Sequence, residues 1–328
     1  MNKDIGIVAI GRNEGEKLKR CLHSALSQTN KIVYVDSGSS DESVAYAEST
    51  GVEVFKLDMS IPFSAGRARN EGFLYIIRKY PQLQFIQFID GDCELYKGWL
   101  ASASEYLENQ PSCAIVAGRL KERFPEKSIY NLICDLEWNT HFGDVKSCGG
   151  IFMVREKTFK DIGGFNIEVV AGEEPELCYR LRKTGWNIYK LDQLMALHDA
   201  AMTKFSQWWK RAIRSGYAYA HGYELHGSER EKYCLRDSLR IWFWSLIVPG
   251  LIFFLALVLS PWWLLLFALY MAQGIKIAIN INKHLIVWRH SFYYATFNII
   301  GKWPQLIGQI LFMKRKISGQ KYKIIEYS

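Results

Sequence analysis

The sequence predicts an α/β fold: a mostly parallel sheet domain over residues 1–225, followed by a membrane-associated region over residues 226–328. Three observations carry this. Short apolar runs alternate with amphipathic stretches up to about Asp199, polar clusters follow several of those runs, and residues 241–275 contain no Asp, Glu, Lys or Arg. The alternation is the pattern of βαβ units, and the ends of parallel strands are where such sheets bind ligands. The uncharged stretch exceeds the roughly 20 apolar residues of a single membrane span.

In chain order, strands are expected at residues 5–10, 31–36, 52–57, 85–89 and 114–119, with helices at 16–27, 43–49 and 66–79. The clusters Gly11-Arg12-Asn13-Glu14, Asp36-Ser37-Gly38-Ser39 and Asp90-Gly91-Asp92 then fall at strand ends, on one edge of the sheet. Farther on, Ser260-Pro261 divides the uncharged stretch, because proline cannot continue a helix and restricts the residue before it. Two tightly connected transmembrane helices follow, at 241–259 and 262–281, with Lys276 reaching for the interface and Trp242, Trp244, Trp262 and Trp263 near the ends. Residues 285–313 are apolar but interrupted by Arg289, His290, Gly301, Lys302 and Pro304, which suits interfacial helices; a third span is the competing arrangement.

The whole chain is 49% hydrophobic with net charge +8, and the charge is not evenly spread. From Met271 onward nine basic residues face Glu326 alone, so the rest is close to neutral. A basic tail beside apolar sequence points to anionic membrane lipids and away from nucleic acid. It also places the connecting loops and the sheet domain on the cytosolic side of an inner (cytoplasmic) membrane. Seven cysteines, an odd number without a CxxC pair, read as reduced thiols and no zinc site. The N-terminus opens directly into an apolar strand, without the layout of a cleaved signal peptide.

The chemistry concentrates at FIQFIDGD, residues 85–92. A buried strand ending in Asp90 and Asp92 puts two carboxylates in one turn, where their repulsion is relieved by a cation. Hard oxygen ligands suit Mg²⁺ or Mn²⁺, although an isolated Asp-Gly-Asp also fits a plain turn.

That turn belongs to an ordered set: AIGRNE (9–14), VDSGSSDES (35–43), GRARNEG (66–72), DGD (90–92), GGIFMVRE (149–156) and GEEPELCYRL (172–181). Over the first 200 residues or so, the set resembles glycosyltransferase family 2, which has the GT-A, Rossmann-like fold. The end of the chain, from GKWPQLIGQILFMKRK onward, is similar to bacterial members linked to exopolysaccharide or surface-glycan assembly.

The resemblance implies roles for individual residues. Asp36 would hydrogen-bond the nucleotide base, with Ala9, Gly11 and Asn13 on the loop beneath it. Arg67 and Arg69 lie where the family places a basic residue near the nucleotide. Asp90, with Gly91, would contact ribose or act through metal-bound water, and Asp92 would ligate the metal directly, completed by His198. In GEEPEL, the second acidic residue would be the base, which is Glu174; because this chain has Glu where Asp is usual, Glu173 stays open as the alternative. Gln207-Trp208-Trp209-Lys210-Arg211 departs from the QxxRW of processive synthases, and two spans are too few for a polymer channel, so transfer of a single sugar is expected. The donor would be a UDP- or GDP-sugar and the acceptor a lipid-linked or membrane-held glycan, with inversion at the anomeric carbon. A non-catalytic scaffold that binds nucleotide sugar, or a nucleotidyltransferase, are the competing functions.

Overall fold

A computed structural model describes residues 4–138, 141–285 and 287–319. The chain separates into two compact units, Met1–Phe124 with His141–Ala201, and Pro125–Thr140 with Met202–Ser328. The division therefore falls elsewhere than the expected 225/226 boundary. The reason is aromatic packing: Tyr130 and Trp208 both set their rings on Phe297, at centroid distances of 5.8 and 4.9 Å, so the segments carrying them group with the C-terminal helices.

The chain runs β1 (Ile5–Gly11), α1 (Glu16–Leu26), β2 (Ile32–Asp36), α2 (Ser43–Ser49), β3 (Glu53–Lys56), α3 (Ala65–Lys79), β4 (Phe85–Asp90), β5 (Cys93–Leu95), α4 (Trp99–Asn109) and β6 (Cys113–Glu122). It continues through α5 (Ile129–Trp138), which belongs to the second unit, then β7 (Gly143–Asp144), β8 (Phe152–Arg155), α6 (Glu156–Asp161), α7 (Glu173–Lys183) and β9 (Asn187–His198). The nine strands form one sheet in the order β3-β2-β1-β4-β8-β6-β9-β5, with β7 beside β9. Strands β3, β2, β1 and β4 are parallel, as the alternation predicts. Beyond them the sheet is mixed. Strand β8 runs antiparallel to β4 and β6, while β9 is parallel to β6 and antiparallel to β5 and β7.

Strands β1, β2 and β4 are buried on both faces, which is why their sequences read as largely apolar runs, with Gln87 the polar residue inside β4. Two polar side chains of the sheet core are paired with each other: Trp99 Nε1 donates to Gln87 Oε1 at 2.8 Å, and both residues are fully buried. Helix α3 lies close on the sheet because Gly72 presents no side chain; a Cβ there would come within 2.5 Å of Val8 and 2.7 Å of Val35. Ser64 caps that helix by accepting from the Arg67 N–H at 3.1 Å. The first turn of α3 is thereby fixed over the strand ends.

In the second unit, α8 (Phe205–His226) packs against the last helix, and between them come α9 (Leu235–Trp242), α10 (Val248–Val258), α11 (Ala268–Leu285), α12 (Trp288–Ile300) and finally α13 (Lys302–Ser318). Helices α8 and α13 meet through glycines: a Cβ on Gly216 would lie 1.9 Å from the Gln305 carbonyl oxygen, and one on Gly308 would lie 2.0 Å from that of Ile213. The expected interfacial segment 285–313 thus resolves into α12 and an α13 whose Leu306, Gly308 and Gln309 are buried.

Leu235–Val258 and Pro261–Lys283 contain 18-residue stretches with mean hydropathies of 2.4 and 1.7, and are long and apolar enough to cross a membrane. No other helix among the described residues passes that test. Both begin before or end beyond the expected 241–259 and 262–281. The first is continuous through Pro249, which follows a π turn at Phe243–Ile247 and stands at the start of α10, where a proline is best tolerated. Pro261 opens the second in a 3₁₀ turn, Pro261–Phe267. Apolar side chains along both are open to the surroundings, with Leu257 at 88% and Trp262 at 78% exposure. A surface of that kind is ordinarily covered by lipid or protein. Lys321, Lys323 and Glu326 of the basic tail lie outside the described residues.

Candidate active site

The carboxyl ends of β1, β2 and β4 bring the three polar clusters to one edge, as parallel register requires: Gly11 pairs with Asp36, and Ile10 with Asp90. Strand β1 runs through Gly11, so Ala9 is a fully buried strand residue and does not lie on the loop that the resemblance implied. Asn13 does lie on that loop, at φ 55°, and ties it to the next one: its N–H donates to Ser39 Oγ at 2.9 Å and its Oδ1 accepts from the Ser40 N–H at 2.7 Å. Asp36, 4% exposed, accepts from the N–H groups of Gly38 and Ser39, both at 3.0 Å. One side of its carboxylate thus holds its own turn.

The two arginines of α3 behave differently. Arg67 donates to the carbonyl oxygens of Ile61 and Asp58, at 2.9 and 2.8 Å, and so fastens the loop ahead of its helix. Arg69, 3% exposed, is a bridge: Nη2 donates to Asp90 Oδ1 at 2.6 Å and Nη1 to Glu173 Oε1 at 3.1 Å. Gly150 lies directly against this bridge, since a Cβ there would come within 2.9 Å of Arg69 Nη2 and 3.6 Å of Asp90 Oδ2.

Asp92 and His198 meet because of strand register. Cys93 in β5 and Glu122 in β6 both pair with His198 at the end of β9. The imidazole therefore stands between two carboxylates, with Nε2 3.4 Å from Asp92 Oδ2 and Nδ1 3.7 Å from Glu122 Oε2. Burial opposes charge on this ring, but Asp92, Glu122 and Asp90 outweigh it and hold the imidazole above its usual range. Burial raises the Asp92 carboxyl, with His198 opposing and Asp90 adding to the rise. Two ligand atoms sharing one divalent ion at about 2.0–2.2 Å stand roughly 3–3.5 Å apart. The Asp92–His198 separation and the donor set of carboxylate and imidazole fit such an ion.

Sequence reasoning left Glu14 and Glu122 without roles. Glu14 follows β1 and faces the Asp-Gly-Asp turn, since a Cβ on Gly91 would lie 3.1 Å from its Cγ. Burial, together with the charge of Asp92 and less so of Asp90, raises its carboxyl to about 7. The signal available was a carboxylate within three residues of a strand end on the same edge as Asp90.

A stability consequence follows. A carboxyl whose folded pKa exceeds its unfolded value binds more protons when folded, so stability falls as pH rises between the two values. In EDTA, Glu14→Gln is expected to raise the melting temperature at pH 8, an effect on the order of 1–3 kcal/mol, and to leave it unchanged at pH 4. Thermal melts at the two pH values check this.

The two acidic residues that open α7 point to different places. Gly172, at φ 78°, starts the helix, whose first turn carries Glu173, Glu174 and Glu176 and whose last carries Arg180, Arg182 and Lys183, as the helix dipole favours. Glu173 reaches Arg69. Glu174, 4% exposed, accepts at Oε1 from the Cys148 N–H at 2.7 Å and from the Cys148 and Cys178 thiols at 3.3 and 3.0 Å, and burial raises its carboxyl.

The chain is similar to known proteins in sequence and in fold. The model of the family described as Glycosyl transferase family 2 matches residues 7–162. The glycosyltransferase AglE of Haloferax volcanii is 22% identical over 218 residues, covering 62% of this chain and 69% of its own. A pre-mycofactocin glycosyltransferase of Mycobacterium tuberculosis is 25% identical over 214 residues, 60% of this chain but 43% of its own length. Among solved structures, the mannosyltransferase PcManGT from Pyrobaculum calidifontis, in complex with GDP-Man and Mn²⁺, superposes with TM-score 0.57 at 15% identity over 90% of this chain and 87% of its own. S. aureus TarS 1-349 gives 0.51 at 14% identity, over 97% and 93%. At such identities the likeness is one of fold.

Proposed function

We propose that this chain, whose residues 7–162 form a glycosyl transferase family 2 domain, moves a single sugar from a nucleoside diphosphate sugar to a membrane-held acceptor, inverting the anomeric carbon. The observation that carries the reading is the meeting of Asp92 with His198, 3.4 Å apart, on the sheet edge that also bears Asp36, Asp90 and the acidic start of α7. Asp36 and the Asn13 loop would receive the base. Asp92 and His198, with Asp90 alongside, would hold Mg²⁺ or Mn²⁺, which when bound neutralises a departing diphosphate. Glu174 would take the proton of the acceptor hydroxyl, its raised pKa making it a stronger base than an ordinary carboxylate. Arg69 keeps Asp90 and Glu173 in register with each other and leaves Asp92 to the metal.

A membrane-held acceptor, such as a lipid-linked glycan of a polysaccharide pathway, is supported by the two long apolar helices. With the spans in an inner membrane, the sheet domain would work from the cytosolic side.

The test is release of nucleoside diphosphate from a panel of UDP- and GDP-sugars by detergent-purified protein, with membrane lipid extract as acceptor and either Mn²⁺ or EDTA. Release from one donor, lost in EDTA, is expected. Binding of donor without any release would favour a scaffold, and release of pyrophosphate a nucleotidyltransferase. In the same assay Gly150→Ala should lower kcat/KM roughly 10-fold or more, because a displacement of about 1 Å in a positioned group can cost that much.

A further inference from the structure

The thiols around Glu174 have an arrangement that its role as a base does not require. Cys148 comes from the loop between β7 and β8, while Cys178 stands one helical turn after Glu174 on α7. The two Sγ atoms and the Glu174 carboxylate oxygen lie within 4.8 Å of one another, with S···O separations of 3.3 and 3.0 Å. In a tetrahedral zinc site with Zn–S near 2.3 Å and Zn–O near 2.0 Å, those ligands stand about 3.5 Å apart (S···O) and about 3.8 Å apart (S···S). The constellation is within a few tenths of an ångström of that along its S···O edges. Thiolate ligands select soft or borderline metals such as Zn²⁺ over Mg²⁺ and Mn²⁺.

Two further observations support a ligand here. Cys148 is half-buried and gives a way in, whereas Cys178 is fully buried and Glu174 nearly so. Lys190 of β9, only 8% exposed, is near enough to attract both Cys148 and Glu174. Two thiolates, a carboxylate and an ammonium would together balance a divalent cation.

The geometry points to a second metal site, distinct from Asp92 and His198, in which Cys148, Cys178 and Glu174 bind Zn²⁺ and so withdraw Glu174 from the acceptor. Each thiol gives its proton to solvent on binding, and nothing is oxidised or reduced. The sequence pattern, without a CxxC pair, argued against zinc because it scores spacing along the chain, whereas these ligands come from a loop and a helix 26 residues apart.

Cobalt(II) is the probe, because thiolate ligation gives it an intense near-ultraviolet charge-transfer band. The full chain, metal-stripped and kept reduced with a phosphine, is titrated with Co²⁺. One equivalent should produce the band, Zn²⁺ should abolish it, and Asp92→Asn should retain it. Cys148→Ser and Cys178→Ser should each lose it. Absence of the band in the unaltered chain overturns the proposal whatever the variants do. So does a band that survives both serine variants, or one lost only in Cys93→Ser, which would place it beside Asp92. The consequence for turnover rests on Glu174 being the base: Zn²⁺ should inhibit sugar transfer in Mn²⁺ buffer, and Cys148→Ser should raise the half-inhibitory concentration at least 10-fold. The cobalt band needs no turnover, so failure of the transferase reading and failure of the zinc site are separable.

Discussion

Asp92→Asn should abolish sugar transfer, lowering kcat by roughly 10²–10³-fold or more, while nucleotide binding through the Asp36 turn persists. The substitution keeps the shape of the side chain and its place 3.4 Å from His198 Nε2, but removes the anionic oxygen that a hard divalent ion requires. Asp90 should compensate only in part, because its Oδ1 is already committed to Arg69 at 2.6 Å. The measurement pairs kcat in saturating Mn²⁺ with the Mn²⁺ dissociation constant from electron paramagnetic resonance. Weakened Mn²⁺ binding together with lost turnover is expected. Lost turnover with unchanged Mn²⁺ affinity would move the metal to other ligands.

The second large effect separates Glu174 from Glu173. Glu174→Gln should cost about 10²–10⁴-fold in kcat, the range for removal of a general base. Its amide oxygen can still accept the Cys148 N–H, so the local fold is preserved. A base must be ionised to act. With its carboxyl raised by burial, the rate of the unaltered protein should fall as pH falls through that raised value, and this limb should vanish from the residual activity of the variant. Glu173→Gln should do less, and through another route. It removes one partner of a buried guanidinium, which costs stability on the order of 3–5 kcal/mol when a buried ion pair is broken, and should lower the melting temperature more than Glu174→Gln does. If Glu173→Gln instead removes the acidic limb, the roles are reversed.

Much of this site was legible in the sequence because parallel strands advertise themselves. Residues 5–10 are apolar without interruption, and 85–89 are apolar but for Gln87, since both faces of β1 and β4 are covered, and the polar residues that follow must then share an edge. Glu122 was not legible. It ends a strand whose register with β9 shifts three times, between Cys113 and Ile115, between Ala117 and Arg119 and between Arg119 and Leu120, and no local pattern encodes which residue then faces His198. The short antiparallel strands β5 and β7 were missed for a related reason: at three and two residues, they are shorter than any periodicity can reveal. Arg67 and Arg69 show the same limit. Two residues apart on one helix, they look equivalent, yet one fastens a loop and the other links two carboxylates.

The helical unit is discontinuous: Pro125–Thr140 is made well before Met202–Ser328. During synthesis on a ribosome, Tyr130 must wait for Phe297, its ring partner, while the intervening chain is made. At about 5–20 residues per second that interval is on the order of 10–30 s. The strands of the sheet are complete once His198 has emerged, but α5 spends that time without its later partner. The nascent chain therefore carries an internal apolar segment in search of cover, and it is at this stage, before α12 and α13 emerge, that binding by a chaperone or early delivery to the membrane would most affect the yield of folded protein.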